Sequence, residues 1–508
     1  MRSPGPLLAC LVALGLCLPA AAAAHPAEKG EVAVPWVDDV GSVPLMRGFA
    51  ARSPVFRANA APSAAGSRRL ALVGNADNDG TINTDMAFFG SHAYAGTFDG
   101  FRVLDISRDR PRVVAEVRCR GPQSDLSVYR IGRRTYLFQS VDMPQTRQDC
   151  ASEDTPFWPG GQDRHTPGFE GLRMFDVTDP ARPRYLRSIA TACGSHTHTL
   201  VPDRRHRRLY IYVSSYPLGP GVTPAGYGGS LKRCTLPHRK ISIVRVPFAA
   251  PTRATVREQP LSRDTTPLAG GVRGCHDIQV FMPRKIAVAS CLGDAQLWDI
   301  SRPGDPSTRD GDRHTHIRSP SRRDRFEFVH SAFVGWRGTK FAVMDETGGG
   351  MVPECNGRAS TGGFYYFYKL VKPGARAPRL RSRYTIPRRQ APELCTSHNA
   401  NVVPIARRDL AVAAYYQGGN TVIDFTDVRR PREVAYADLD TPVGLADSWS
   451  AYWFNGRVYA NGGHDRRGDT GNRGLDVFRL RVPGLRIGRA KRLAYSNAQT
   501  QETSQVPR

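Results

Sequence analysis

The sequence predicts an all-β protein, a seven-bladed β-propeller of four-stranded blades braced by disulfides. Three observations lead to this class: the distribution of turn residues, a strand motif that recurs along the chain, and an even number of cysteines. Glycine (49 residues) and proline (39) are spread over all 508 positions, as in proteins of many short strands joined by turns. With 40% hydrophobic and 23% charged residues, the composition excludes a disordered or collagen-like chain.

The recurring motif is an apolar strand that ends in Asp, an apolar residue, and Ser or Thr. Four copies are clear and three are weaker; they lie at 100–108, 171–184, 294–302 and 419–432, and at 240–248, 363–372 and 474–483. The Asp and hydroxyl side chains are expected to cap a tight turn after the strand. Two strands precede each copy and one follows it, at a spacing of roughly 55 to 70 residues, which fits propeller blades better than a solenoid.

The motif resembles a known repeat. The segments FRVLDIS, LRMFDVTDP and TVIDFTD are similar to the LVIVD repeat, and the resemblance covers residues 80 to 480. The LVIVD family is found in exported and surface proteins of bacteria and archaea, and its fold is taken to be a β-propeller. The resemblance therefore implies an architecture, while the family carries no single assigned activity.

The two ends of the chain have different compositions from the repeats. Residues 1–24 combine Arg2, an apolar run and an Ala-rich cleavage site, so we expect a secretory signal peptide and a secreted or extracytoplasmic protein without a transmembrane anchor. Residues 25–68 form an Ala/Pro/Arg-rich leader that we expect to be poorly ordered. The propeller then spans 69–490, with 69–75 supplying a strand that closes the ring, and 491–508 form a polar tail.

Eight cysteines remain after removal of the signal peptide, and an even number in an exported chain predicts disulfides. Half of them lie where the chain leads into the innermost strand of a blade, and half lie at the loop between the second and third strands. Because these two places are at the same end of a blade, we expect the pairs Cys119–Cys150, Cys193–Cys234, Cys275–Cys291 and Cys355–Cys395, one choice among about 105 connectivities.

Histidines begin the innermost strands of four neighbouring blades, at His196, His276, His330 and His398, and His198 follows two residues after the first. Because innermost strands line the central channel, these imidazoles could converge at its mouth and hold one transition metal, Cu or Zn. The alternative is a structural repeat feature, as in WD-repeat propellers, where a histidine at this place makes hydrogen bonds within the blade. Both interpretations stay open.

Other polar residues are weaker candidates. Asp345 and Glu346 open a glycine-rich loop that could hold a cation or a substrate hydroxyl. Asp85, Asp125 and Asp277 each follow the histidine position, so strand alternation predicts that they point away from it and bind neighbouring backbone. The segment 314–316, His-Thr-His, lies in an Arg/Asp-rich connection and is expected to be solvated.

The formal charge of +25 comes from 71 basic and 46 acidic side chains. The arginines fall mostly in turns and connections of all blades and form no single stripe, and no nucleic-acid-binding motif occurs, so nucleic acid is not an expected partner. A diffuse positive field could instead hold the protein near anionic envelope polymers.

The sequence therefore favours a binding or scaffold module for an envelope polymer, a glycan or a protein. No hydrolase elbow, Walker loop or dinucleotide fingerprint is present, so a role in catalysis is less favoured. The alternative is a metal-dependent enzyme, redox or hydrolytic, that uses the histidine cluster.

Overall fold

The structure is a computed structural model. It describes residues 65–78, 81–121, 124–152, 169–216, 237–268, 272–321, 324–347, 354–355, 360, 362–389, 395–439, 448–462 and 473–501. The predicted signal peptide, the leader up to residue 64 and Cys234 lie outside the described residues, as do several of the long loops and residues 502–508.

The regular secondary structure of the described residues consists of β-strands and a few short 3-10 turns. In its first part the strands are β1 (Ala65–Gly66), β2 (Leu70–Ala76), β3 (Asn83–Phe89), β4 (His92–Thr97), β5 (Gly100–Asp105), β6 (Arg112–Arg118), β7 (Leu126–Ile131), β8 (Arg134–Gln145), β9 (Phe169–Asp176), β10 (Arg184–Ala190), β11 (Thr197–Asp203), β12 (Arg208–Ser214), β13 (Lys240–Pro247) and β14 (Thr255–Pro260). In its second part they are β15 (Asp277–Phe281), β16 (Ile286–Cys291), β17 (Asp294–Asp299), β18 (His314–Ile317), β19 (Val329–Val334), β20 (Lys340–Asp345), β21 (Tyr365–Lys369), β22 (Leu380–Tyr384), β23 (Ala400–Val402), β24 (Leu410–Ala414), β25 (Asn420–Asp424), β26 (Arg432–Asp438), β27 (Ser450–Phe454), β28 (Arg457–Gly462), β29 (Gly474–Leu480), β30 (Tyr495–Asn497) and β31 (Thr500–Gln501).

The strands form a β-propeller, but the predicted count of seven separate four-stranded blades is wrong. Five sheets stand alone: β7–β10, β11–β14, β19–β22, β27–β29 with β2, and β23–β26 with the short β1 added at its edge. The four-stranded runs β3–β6 and β15–β18 do not stand alone, because β30 and β31 join them into one ten-stranded sheet.

The joining strands come from the segment that the sequence predicts as a polar tail after residue 490. β30 pairs with β3, the innermost strand of one run, and β31 pairs in parallel with β15, the innermost strand of the other. The side chain of Asn497 extends this pairing: its Oδ1 accepts from Val128 N (2.7 Å) and its Nδ2 donates to Val128 O (3.0 Å). The C-terminal segment thus forms hydrogen bonds with the edges of innermost strands, which the four strands of a blade leave unpaired.

The ring closes as predicted from the N-terminal segment. β2 pairs antiparallel with β29, so a strand from the start of the propeller completes the sheet built from its end. Apolar side chains pack between neighbouring sheets. One such cluster joins Val422 of β25 to Trp453 and Phe478 of the closing sheet. Another joins Tyr212 of β12 to Trp298 of β17.

The motif strands end in the predicted turns. In each of the four clear copies the Asp side chain accepts a hydrogen bond from the backbone N–H two residues later, at distances from 2.7 to 3.0 Å; the pairs are Asp105–Ser107, Asp176–Thr178, Asp299–Ser301 and Asp424–Thr426. The backbone conformation also explains why a glycine begins a copy of the motif. Gly100 has φ 145°, and a Cβ there would collide with the carbonyl oxygen of Val117.

Disulfides brace one end of the blades. The structure contains Cys119–Cys150, Cys275–Cys291 and Cys355–Cys395, as predicted. Cys193 is also disulfide-bonded, and its predicted partner Cys234 lies outside the described residues. Within the described ranges, no helix is long and apolar enough to cross a membrane.

Candidate functional site

The four histidines lie at the start of four adjacent innermost strands. His196 and His276 directly precede β11 and β15, His330 is the second residue of β19, and His398 lies two residues before β23. These strands contact one another in sequence around the ring, β11 with β15, β15 with β19, and β19 with β23. The repeat therefore places one imidazole per blade at the same height, and we call these four residues the histidine row.

The histidine row is continuous and buried. Neighbouring ring centroids are 4.1 Å apart for His196 and His276, 3.7 Å for His276 and His330, and 4.6 Å for His330 and His398. Each of the four side chains is at most 2% exposed. Nε2 of His196 lies 2.7 Å from Nε2 of His276. The row therefore brings neighbouring imidazoles together in pairs, whereas the metal hypothesis expects three or more of them at one position.

Acceptors outside the row hold the Nδ1 atoms of three of these rings. Nδ1 of His196 is 2.7 Å from Asp142 Oδ2, and Nδ1 of His276 is 3.2 Å from Asp277 Oδ1. Nδ1 of His398 contacts the carbonyl oxygen of Trp449. Since these oxygens only accept, the proton of each neutral ring belongs on Nδ1, and Nε2 presents its lone pair to the row.

A carboxylate completes the cluster. Glu346 follows β20 and is fully buried, with Oε2 3.5 Å from His330 Nε2 and Oε1 3.5 Å from His398 Nε2. The hydroxyl of Tyr416 donates a hydrogen bond to Glu346 Oε1. Tyr416 lies in a short 3-10 turn with φ 50°, a conformation that costs energy for a non-glycine residue and aims its ring at His398.

Potential ligand atoms cluster tightly in two overlapping groups, His276 with Asp277 and His330, and His330 with Glu346 and His398. Within each group these atoms lie within 4.8 Å of one another. Neutral imidazole and carboxylate are ligands that suit borderline transition metals such as Cu²⁺ and Zn²⁺. The arrangement can therefore bind such an ion, or hold a shared proton in its place.

Asp345, the neighbour of Glu346, has a different place. Its Oδ1 accepts from the backbone N–H of Phe328 at 2.7 Å, and burial raises its pKa to about 7. The two predicted loop acids therefore have different roles. Glu346 contacts the histidine row, whereas Asp345 accepts a hydrogen bond from the backbone just before β19, the strand that contains His330. Much of the glycine-rich loop after them is outside the described residues.

His198 does not join the row. Its Nδ1 is 2.9 Å from Ser140 Oγ and 3.2 Å from Asp125 Oδ2. Burial lowers its pKa to about 3, so the ring is neutral at ordinary pH. Strand alternation puts His198 on the same side of β11 as His196. It lies two residues further along the strand, however, and contacts Ser140 and Asp125 of the neighbouring blade.

The three aspartates after the histidine position only partly follow the sequence prediction. Asp85 accepts from Met86 N (2.7 Å) and Asp125 from His198 N (2.8 Å), as expected for backbone-bonding residues. The two carboxyls also hydrogen-bond to each other, and burial is the main cause that raises the pKa of Asp85 to about 6. Asp277 differs, because it holds the ring of His276.

Aromatic rings surround the histidine row. Tyr216 is 5.0 Å from His196, Phe328 is 5.4 Å from His276, and Trp449 is 5.3 Å from His398, each measured between ring centroids. The Tyr216 hydroxyl also lies 3.3 Å from His196 Nε2. These rings exclude water, which strengthens electrostatic interactions within the row.

The sequence analysis missed Asp142, Tyr216 and Tyr416, all of which contact the histidine row. Asp142 lies within the second strand of its blade, near its end, whereas Tyr216 and Tyr416 follow the second strands of theirs, and none belongs to the recurring motif. The only signal in the sequence is the position of these residues. The predicted disulfides already place the end of the second strand of a blade beside the start of its innermost strand.

No protein-family model matches the chain, and no curated protein is similar to it in sequence. Similar solved structures include the β-propeller domain of Cps50 (Swd1) from Myceliophteria thermophila, with a TM-score of 0.45 and 11% identity over 79% of this chain and 100% of that chain. Sqt1 from Chaetomium thermophilum, bound to the N-terminus of the ribosomal protein L10, has a TM-score of 0.41 and 12% identity over 79% and 89%. A protein from Lactobacillus plantarum has a TM-score of 0.45 and 11% identity over 78% and 97%. At these values the similarity carries no argument about the site.

Proposed function

We propose that this protein is an exported metal-binding β-propeller whose histidine row holds one transition-metal ion, Cu²⁺ or Zn²⁺. The observation that carries the proposal is a pair of overlapping groups whose potential ligand atoms lie within 4.8 Å of one another: His276 with Asp277 and His330, and His330 with Glu346 and His398.

The other end of the row fits a shared proton better than a metal. Nε2 of His196 lies 2.7 Å from Nε2 of His276, a hydrogen-bond distance, whereas two nitrogens bound at about 2.0 to 2.1 Å to one tetrahedral ion would be about 3.3 to 3.4 Å apart. Protons and metals compete for imidazole lone pairs, so metal binding to the row should weaken at lower pH.

Glu346 supports a metal at the second half of the row. A carboxylate at 3.5 Å from two further Nε2 atoms supplies negative charge that offsets part of the charge of a divalent cation. Asp142 and Asp277 act from behind the rings, where a carboxylate raises the basicity of an imidazole ligand. Cu²⁺ in such a site would serve redox chemistry and Zn²⁺ hydrolytic chemistry.

A second candidate function is the binding or scaffold role, with an envelope polymer, a glycan or a protein as partner. Its support is the set of disulfides that brace the same end of the blades as the histidine row. Membership of the LVIVD-repeat family and export belong to this proposal too. If the positive charge holds the protein to anionic polymers, binding should weaken as salt rises, and binding indifferent to salt would count against this role.

Elemental analysis of protein purified from its native compartment and dialysed against a chelator tests the metal proposal. We expect about one equivalent of copper or zinc in the wild type and a strong loss in His330→Gln and His398→Gln. His206→Gln is the matched control, because His206 is an exposed histidine outside the row. A wild-type protein that is metal-free and cannot be reloaded would overturn the proposal.

A further inference from the structure

A second histidine cluster lies on the outer side of the propeller, on β18. The sequence predicts a solvated connection for residues 314–316, but the structure places them in a strand that pairs with β17. Because side chains two residues apart share one face of a strand, His314 and His316 lie side by side. Their Nε2 atoms are 3.1 Å apart, and both side chains are partly exposed.

A buried carboxylate fixes the orientation of one ring. Nδ1 of His316 is 2.7 Å from Oδ2 of Asp294, which is fully buried at the start of β17. Asp294 is itself held, because its Oδ1 accepts from Gln296 Nε2 (3.2 Å) and its Oδ2 accepts from Thr266 N (3.3 Å). The proton of His316 therefore belongs on Nδ1, and its Nε2 directs a lone pair at His314.

His314 is suited to act as a ligand. If it donates Nε2–H to His316, its Nδ1 becomes an acceptor, and that atom is buried without a hydrogen-bond partner. A cation between the two Nε2 atoms lets both rings act as ligands, with the proton of His314 on Nδ1.

The surroundings are negative at this point of a positive protein. Asp264, Asp310 and Asp312 all act electrostatically on His314. Two of these aspartates are paired with arginines: Oδ2 of Asp310 lies 3.4 Å from Nε of Arg263, and Oδ2 of Asp312 lies 3.4 Å from Nε of Arg309. Asp264, together with Asp294 behind His316, supplies the remaining negative charge, which favours a cation over an anion.

We propose that His314 and His316, held by Asp294, form a second metal site for a borderline divalent cation such as Zn²⁺, with water completing the coordination shell. This site is separate from the histidine row. Residue 276 precedes the innermost strand of the same four-stranded run and β18 is its outermost strand, so three strand spacings, about 14 Å, separate them. The site therefore does not depend on the proposed function.

Zinc titration by calorimetry of the full chain, with any metal of the histidine row left in place, tests this site. We expect the wild type to bind one Zn²⁺ that His314→Gln and His316→Gln bind about tenfold or more weakly. His206→Gln is the matched control: His206 contacts Asp203 at 2.8 Å as His316 contacts Asp294, but it has no second imidazole beside it in the pair.

The two substitutions separate loss of a ligand from loss of fold. His316→Gln could disturb Asp294, whereas His314 makes no described contact with that residue, so the thermal unfolding of His314→Gln should match the wild type. Wild-type zinc affinity in both variants would overturn the proposal. An equal loss of affinity in His206→Gln would overturn it as well.

Discussion

At the scale of single residues, the metal proposal depends on the carboxylates behind the imidazoles as much as on the imidazoles themselves. Asp142 contacts His196 at 2.7 Å and is almost fully buried, so it can fix both the tautomer and the orientation of the ring.

Asp142→Asn should keep the side-chain volume and remove the charge. We expect the affinity of the metal-free protein for copper or zinc to fall about 10- to 100-fold, because the neutral amide orients the imidazole less firmly and makes it less basic. Calorimetric titration measures this change. Asp203→Asn, which alters the exposed pair with His206, should leave the affinity unchanged. Unaltered affinity in Asp142→Asn would mean that Asp142 has no role in metal binding.

A buried histidine outside the row gives a pH prediction. Burial lowers the pKa of His238 to about 3, and its Nε2 lies 3.0 Å from Ser215 Oγ. The unfolded chain takes up this proton near pH 6.5 and the folded chain does not, so the free energy of unfolding falls as pH decreases from about 6.5 towards 3.

His238→Gln removes this titration. Between pH 7.5 and pH 5, the wild type should therefore lose about 2 kcal/mol more of its free energy of unfolding than the variant does. Denaturant titrations at the two pH values provide the comparison. Equal losses in the two proteins would contradict a buried, neutral His238.

At the scale of elements, most strands follow from the repeat, whereas the C-terminal strands do not. Segment 495–501, Tyr-Ser-Asn-Ala-Gln-Thr-Gln, is polar and lacks the apolar alternation of a strand. It is held by hydrogen bonds to inner strand edges, with Val280 N donating to Gln499 O (2.8 Å) and Thr500 Oγ1 donating to Leu200 O (2.8 Å). Such pairing depends on partners far along the chain, which local pattern does not encode.

Asn497→Ala tests this element. The substitution leaves the backbone N–H and C=O of buried Val128 without the partners at 2.7 and 3.0 Å, so we expect a loss of about 1 to 3 kcal/mol in the free energy of unfolding. Ser496→Ala, at a half-buried neighbouring position, is the control and should change stability much less. Equal stability of Asn497→Ala and the wild type would mean that the hydrogen bonds between Asn497 of β30 and Val128 of β7 do not stabilise the fold.

At the scale of the whole molecule, the repeat is sufficient to predict a propeller, its closing strand and three disulfide pairs. It also predicts which histidines meet, because one residue at one position of each repeat is carried to one level of the ring. It does not predict how many sheets stay separate, since β30 and β31 join two of the four-stranded runs.

Most polar partners of the histidine row were beyond the sequence pattern. Glu346 is a candidate in the sequence because it opens a glycine-rich loop. Asp142 and Tyr416, near the ends of second strands in other blades, have no local sequence feature that distinguishes them from loop residues. Only the pairing of neighbouring blades brings them to the imidazoles.

The central claim is that the histidine row binds one metal ion through imidazole nitrogen. X-ray absorption at the metal edge, on protein purified from its native compartment and dialysed against a chelator, tests it most directly. We predict about one equivalent of copper or zinc, with imidazole nitrogens among its ligands at about 2.0 to 2.1 Å. A metal bound without imidazole, or a protein that neither contains metal nor takes it up, would contradict the claim.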